Sequence, residues 1–156
     1  MIISDMTSSK LFIEATRKTP EIDFNPDEGL FVLKGKSIPE NASKIYEPLI
    51  ELLKDYIRNA REETQVHFNL MYFNTASSLW IARMIRVLSK INDPEKLLII
   101  NLYFHLEDYD EMEEEDIQEA IAPVMAVIKD ATVSLGVKVF GTDDNDVIQK
   151  ERLILF

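Results

Sequence analysis

The sequence predicts one α/β domain: a mixed sheet of about five or six strands with helices packed against it. Three observations carry this. The chain has 156 residues, enough for a core without metal or disulfide staples. Apolar residues recur with a period of two in some stretches and near 3.6 in others, and the two patterns alternate along the chain. With four glycines, no internal repeat and no low-complexity linker, the connections must be short.

Taken in order, residues 11–15 and 30–33 read as short strands. The turn-forming Asn25-Pro26-Asp27-Glu28-Gly29 precedes the second, so the two are expected to pair as a hairpin. Ile45, Leu49, Leu52, Leu53, Tyr56 and Ile57 then fall on one helical stripe. Ser37-Ile38-Pro39-Glu40 suggests its start as a capping box, with Ser37 as cap and Glu40 reaching back to the cap amide. Val66, Phe68, Leu70 and Tyr72 alternate with Gln65, His67 and Asn69, a strand that ends at Asn74. A second helix presents Trp80, Ile81, Met84, Ile85 and Leu88 to the core and Arg83, Arg86 and Lys90 to water. After the Asp93-Pro94 break, residues 97–104 are almost continuously apolar, as in a central strand covered on both faces. Residues 113–134 read as a third helix, with Ile117, Ile121, Val124, Met125 and Ile128 on one face and a kink at Pro123. Residues 137–140 and 152–156 read as late strands, separated by Asp143-Asp144-Asn145-Asp146.

Hydrophobic residues at 46% and charged residues at 29% exclude a disordered chain and a membrane protein. No apolar run approaches a bilayer span and residues 1–10 lack a signal pattern, so a cytoplasmic protein is expected. The absence of cysteine excludes disulfides, thiolate metal sites and cysteine nucleophiles. A net charge of −11 argues against nucleic acid and for a protein partner with a basic surface, although acidity also serves solubility.

One stretch invites chemistry: Tyr72-Phe73-Asn74-Thr75-Ala76-Ser77-Ser78, a strand running into a helix with hydroxyl residues at the junction. Helix starts expose backbone N–H groups and a positive dipole end, so a phosphate on Thr75, or on Ser77 or Ser78, would be held there. Asn and Thr are also ordinary caps, and spacing alone favours the cap. Gly35-Lys36-Ser37 is not a nucleotide loop, because Leu30 stands where its first glycine belongs. The carboxylates Glu107, Asp108, Asp110, Glu111, Glu113, Glu114, Glu115 and Asp116 offer hard-cation ligands, yet lack a calcium loop's spacing. A solvated helix start, or a surface for a basic partner, accounts for them as well. His67 and His105 belong to no triad pattern; no catalytic, metal or cofactor site is expected.

Three further segments join that junction: Lys18-Thr19-Pro20-Glu21-Ile22-Asp23-Phe24-Asn25-Pro26, Gly35-Lys36-Ser37-Ile38-Pro39-Glu40-Asn41-Ala42 and Tyr46-Glu47-Pro48-Leu49. In this order the four motifs resemble the SiaC-type regulatory phosphoproteins, over roughly residues 18–111. The resemblance implies a STAS-like fold, related to the anti-sigma-factor antagonists, and partner switching. It implies a serine/threonine kinase of the histidine-kinase-like ATPase type, a PP2C-type phosphatase, and a downstream target that in one branch is a diguanylate cyclase. In that family the modified threonine follows the asparagine that ends the central strand, a position the resemblance places here on Thr75. Asn74, Lys36, Ser37, Glu40 and Asn41 are the expected partner-contacting residues, with local turn formation and capping as the alternative for the last four. Leu79 and Trp80 depart from the family's lysine after the serines, and residues 120–156 extend beyond the resemblance as a tail of the same domain. The expectation is a non-enzymatic signalling switch. Its rivals are a constitutive acidic interaction module and a divalent-metal enzyme using the carboxylates of 107–116.

Overall fold

The structure, a computed structural model, describes residues 10–113, 115–116, 119, 122, 125–126 and 128–155. Their elements are β1 (Leu11–Ile13), β2 (Glu21–Asn25), β3 (Leu30–Ser37), α1 (Ala42–Tyr56), β4 (Glu63–Phe73), α2 (Thr75–Leu88), β5 (Leu97–His105), α3 (Leu106–Glu111), β6 (Ser134–Thr142) and β7 (Ile148–Leu155). The described strands form one seven-stranded sheet whose spatial order is the chain order. Strands β3 to β6 run parallel, while β1, β2 and β7 pair antiparallel with their neighbours at the two flanks.

The order explains the burial. Crossovers that step in one direction with right-handed geometry put their helices on one face of the sheet. That face receives Phe31 and Leu33 of β3, Val66 and Phe68 of β4, Leu98 and Ile100 of β5, and Val137 and Val139 of β6, all buried. Against them pack Leu49 and Leu53 of α1 and Met84, Ile85 and Leu88 of α2, each worth about 1.5–3 kcal/mol of burial.

Several expectations need correction. A strand at Glu21–Asn25 was not foreseen. The 25–29 turn therefore joins β2 to β3, not residues 11–15 to β3, and β1 pairs with β2. This adds to the strand count, which the sequence placed at five or six. Ile22 and Phe24 alternate with Glu21 and Asp23, a pattern hidden by the adjoining turn residues. The capping box is also absent. Ser37 ends β3 with its side chain fully buried, and Glu40 forms an exposed ion pair with Lys18 at 3.1 Å. Helix α1 starts later, after Asn41, whose side chain makes no capping bond. Strand β5 is covered on both faces, as its apolar run predicts, although among the described residues helices pack against one face only. On the other, Ile99 and Asn101 are buried under side chains of neighbouring strands: Leu153 and Leu155 close over Gly136 beside Ile99, and Asn101 Nδ2 donates to Gln65 Oε1 at 2.9 Å and Val66 O at 3.1 Å. Between α3 and β6 the described residues 115, 116, 119, 122, 125, 126 and 128 are helical, but Ser134 already belongs to β6. The expected kink at Pro123, and Ile117, Ile121 and Val124, lie outside the described residues. No helix is long and apolar enough to cross a membrane among the described residues.

Candidate functional site

The junction between β4 and α2 is built by a bulge and a cap. Gly35, at φ +114°, sits where the β3–β4 register slips: it faces Leu70, while Lys36 faces Tyr72, leaving Met71 as the extra residue. The ladder resumes to Ser37 opposite Phe73 and ends with Asn74 N–H bonded to Ser37 O at 3.0 Å. Asn74 is extended, at φ −87° and ψ 174°, and its Oδ1 accepts the Ser77 N–H at 2.8 Å. It is thus a true N-cap, satisfying one of the free amides of the first turn.

Thr75 is the first residue of α2 and is exposed. No acidic residue occupies that first turn, so negative charge placed there meets the positive end of the helix unopposed by its own turn. Ser77 differs from Thr75 in kind. It is fully buried, its hydroxyl donating to Ser37 O at 2.9 Å and lying 2.8 Å from Ser37 Oγ. Ser37 Oγ in turn lies 2.5 Å from the hydroxyl of Tyr46, also fully buried. A single proton order satisfies all three groups: Tyr46 donates to Ser37, Ser37 to Ser77, and Ser77 to the Ser37 carbonyl. Burial pushes the Tyr46 phenol up despite these bonds, so it stays protonated and available as a donor. A kinase cannot reach Ser77 in this conformation. Ser78 turns inward along its own helix, its Oγ donating to Thr75 O at 2.7 Å.

The other expected contact residues gather unevenly. Lys36 is exposed, its Nζ 5.6 Å from the centre of the Tyr72 ring. Ser37 belongs to the buried hydroxyl chain rather than to a surface. Pro39 O lies 3.5 Å from Asn74 Nδ2, which brings the loop after β3 against the cap. Glu40 and Asn41 are exposed, held by Lys18 and by the Ser43 hydroxyl.

Sequence reasoning missed the apolar surface around the junction: Ile38, Met71, Tyr72, Phe73 and Leu79 are all exposed. The alternation of Val66, Phe68, Leu70 and Tyr72 would place Tyr72 on the better-buried face. The bulge at Met71 breaks the period of two, so alternation carried past Leu70 misassigns it.

The remaining candidate residues lie apart from this junction. His67 Nδ1 lies 2.7 Å from the Tyr103 hydroxyl, and burial, then the Lys138 charge, lower its pKa. His105 Nε2 pairs with Asp144 at 2.7 Å on the surface. Among the described carboxylates of 107–116, Asp110 is engaged by Lys150 and Asp116 by the Glu113 N–H. No group of three acidic or histidine side chains there could hold one metal ion, again among the described residues.

A protein-family model described as "SiaC family regulatory phosphoprotein" matches residues 13–129. An uncharacterised protein of Pseudomonas aeruginosa (strain UCBPP-PA14) is 28% identical over 69 residues, 44% of this chain. The matched region spans about half, 55%, of that relative's length. Among solved structures, apo-SiaC from Pseudomonas aeruginosa superposes with a TM-score of 0.62 at 17% identity, covering 83% of this chain and 98% of that one. The structure of the diguanylate cyclase SiaD with its activator SiaC, from the same organism, contains a chain matching with a TM-score of 0.64 at 17% identity and the same coverages. At such identity these likenesses establish the fold, a mixed α/β sheet of the same kind.

Proposed function

The chain belongs to the SiaC family of regulatory phosphoproteins, and from that premise we propose that it is a non-enzymatic switch controlled by phosphate on Thr75. The observation that supports this reading is the contrast at one helix start. Of the three hydroxyls, Thr75 is exposed beside the free end of α2, Ser77 is locked in the core, and Ser78 is turned back on its helix.

A phosphate adds about −1.5 to −2 charges and three acceptor oxygens. Placed at the first position of α2, it is favoured by the dipole and leaves the Asn74 cap in place, so the fold persists while the surface changes. That surface is apolar, formed by Met71, Tyr72, Phe73 and Leu79. Apolar exposure of this kind suits a partner that leaves and returns, and new charge at its edge changes docking more than folding. The reading includes a dedicated serine/threonine kinase of the histidine-kinase-like ATPase type, a PP2C-type phosphatase, and a diguanylate cyclase as the target engaged in one of the two states. The last is supported by the SiaD complex of the structurally similar SiaC.

Site-resolved phosphopeptide mass spectrometry on the protein from its own cells tests this directly. Phosphate on Thr75 is the expected result, followed by different partner capture by Thr75→Ala and Thr75→Glu. A fully covered peptide without phosphate across growth conditions, and equal capture by both variants, would leave Thr75 as a helix position and the protein as a constitutive acidic module.

A further inference from the structure

The sheet is not closed at the end that carries Thr75. The β4–β5 ladder stops at Phe68 opposite Leu102, although β4 runs on to Phe73 and β5 to His105. Beyond that point β4 remains paired with β3, and β5 with β6, so the two halves of the sheet part as a wedge. Among the described residues, no strand pairs with the side of β4 that faces β5 beyond Phe68, and the Asn69 side chain donates to Asp146 Oδ1 of the β6–β7 turn at 3.1 Å.

The backbone groups on that side follow from the alternation of a parallel strand. Gln65 N–H bonds to Gly29 O and Asn74 N–H to Ser37 O, both toward β3. By the same alternation, taken across the bulge, Leu70 and Phe73 turn their N–H groups toward the wedge. Unpaired strand edges are templates for an added strand. Here the template is flanked by apolar side chains, with Met71 71% and Phe73 54% exposed, an unusual feature for an edge left to water. The charge at this end of the sheet lies on α3, which packs on β6 through Tyr109 against Gly141. Helix α3 starts where β5 ends, and its Glu107, Asp108 and Glu111 are exposed carboxylates at this same end of the sheet.

We propose that the unpaired side of β4 from Asn69 to Phe73 takes up an extended segment of a partner protein as an added strand, its residues alternating between apolar and basic. Main-chain bonds to Leu70 and Phe73 give the pairing, and the Met71 and Phe73 side chains select apolar residues on the incoming strand. The carboxylates of α3 select lysine or arginine over acid. This goes beyond the preceding section by naming the element recognised, and it rests on that reading only in treating the chain as a binding protein.

The test uses the full chain and a synthetic peptide alternating valine with lysine, followed by amide exchange. Two controls accompany it: the valine–glutamate counterpart, and the valine–lysine peptide with alternate backbone nitrogens methylated. The valine–lysine peptide is expected to slow exchange of the Leu70 and Phe73 amides by about tenfold or more and to leave Gln65 unchanged. Both controls, and the doubly substituted Glu107→Lys, Asp108→Lys chain, are expected to bind about tenfold more weakly. Binding that leaves the Leu70 and Phe73 amides unprotected, or equal binding of the methylated peptide, overturns the proposal, as does no binding at millimolar peptide. None of these readouts involves phosphate. Failure here leaves the Thr75 switch untouched, and an unphosphorylated Thr75 leaves this inference standing.

Discussion

Removing the Ser37 hydroxyl should cost more than removing the Tyr46 hydroxyl it touches, and the two losses should not add. Ser37→Ala deletes the partner of two buried groups, Tyr46 at 2.5 Å and Ser77 at 2.8 Å. Ser77 keeps its bond to the Ser37 carbonyl, whereas the Tyr46 hydroxyl is stranded in a fully buried position. A lost bond of about 1 kcal/mol plus a stranded hydroxyl of about 1–3 kcal/mol gives a total of about 2–4 kcal/mol. Tyr46→Phe removes the hydroxyl itself and leaves Ser37 bonded to Ser77, so about 1 kcal/mol is expected. In the double variant nothing is stranded, so the sum of the singles should overshoot by that term, about 1–3 kcal/mol. Urea unfolding of the four proteins measures this, with the slope against denaturant serving as the check that the unfolded states match. Additivity to within about 0.5 kcal/mol would refute the chain of hydroxyls as a coupled unit.

The two hydroxyls at the start of α2 should answer oppositely to charge. Thr75→Glu at an exposed first position is expected to stabilise by about 0.3–1 kcal/mol at low salt, while Ser77→Asp, forced into the core beside the Ser37 carbonyl, should cost about 3 kcal/mol or more. Thermal unfolding separates them, and a tolerated Ser77→Asp would contradict the burial. Asp146 supplies a pH test: burial raises its carboxyl, but the hydrogen bonds from Lys34 and Asn69 outweigh this and hold it below the usual carboxylate range. A depressed folded pKa stabilises above the unfolded value and is lost as the pH falls through the folded one. The gap in urea midpoint between wild type and Asp146→Asn should therefore be constant near neutrality, shrink from about pH 4 downward, and vanish below the folded pKa; a gap independent of pH would show that Asp146 acts by shape alone. Pro48 lies inside α1 and is exposed, so Pro48→Ala should restore the missing bond to the Lys44 carbonyl. A gain of about 1–2 kcal/mol is expected, less than the full proline penalty because the unfolded chain loosens too.

Much of this architecture could be read from the chain because its signals are periodic and local. Val66 and Phe68, or Met84, Ile85 and Leu88, point inward for reasons contained in a few neighbouring residues. What escaped depends on contacts distant in sequence. Ser37 looked like a helix cap because Glu40 stands three residues later; its actual partners, Tyr46 and Ser77, are 9 and 40 positions away. Tyr72 looked like core because nothing in its own segment announces the bulge, which is set by Gly35 on the neighbouring strand. Strand β2 was hidden because five residues of alternation run straight into a turn. At the candidate site, the position of Thr75 after Asn74 was legible from the motif. The difference between an exposed Thr75 and a buried Ser77 was not, since it arises only when β3 is laid beside β4.

The identity of sheet order and chain order also bears on how the molecule is made. Each strand pairs with the one synthesised just before it, so no strand has to be threaded between two already joined, and every crossover closes a loop of modest length. A chain leaving the ribosome can therefore grow its sheet by accretion, each new strand meeting a finished edge. In such a sequence the helices also come to rest one after another on the same side. Strand β7 joins after β6 and sets the charged Lys150, Glu151 and Arg152 among exposed Ile148, Leu153 and Leu155, so charge interrupts the apolar residues along that edge.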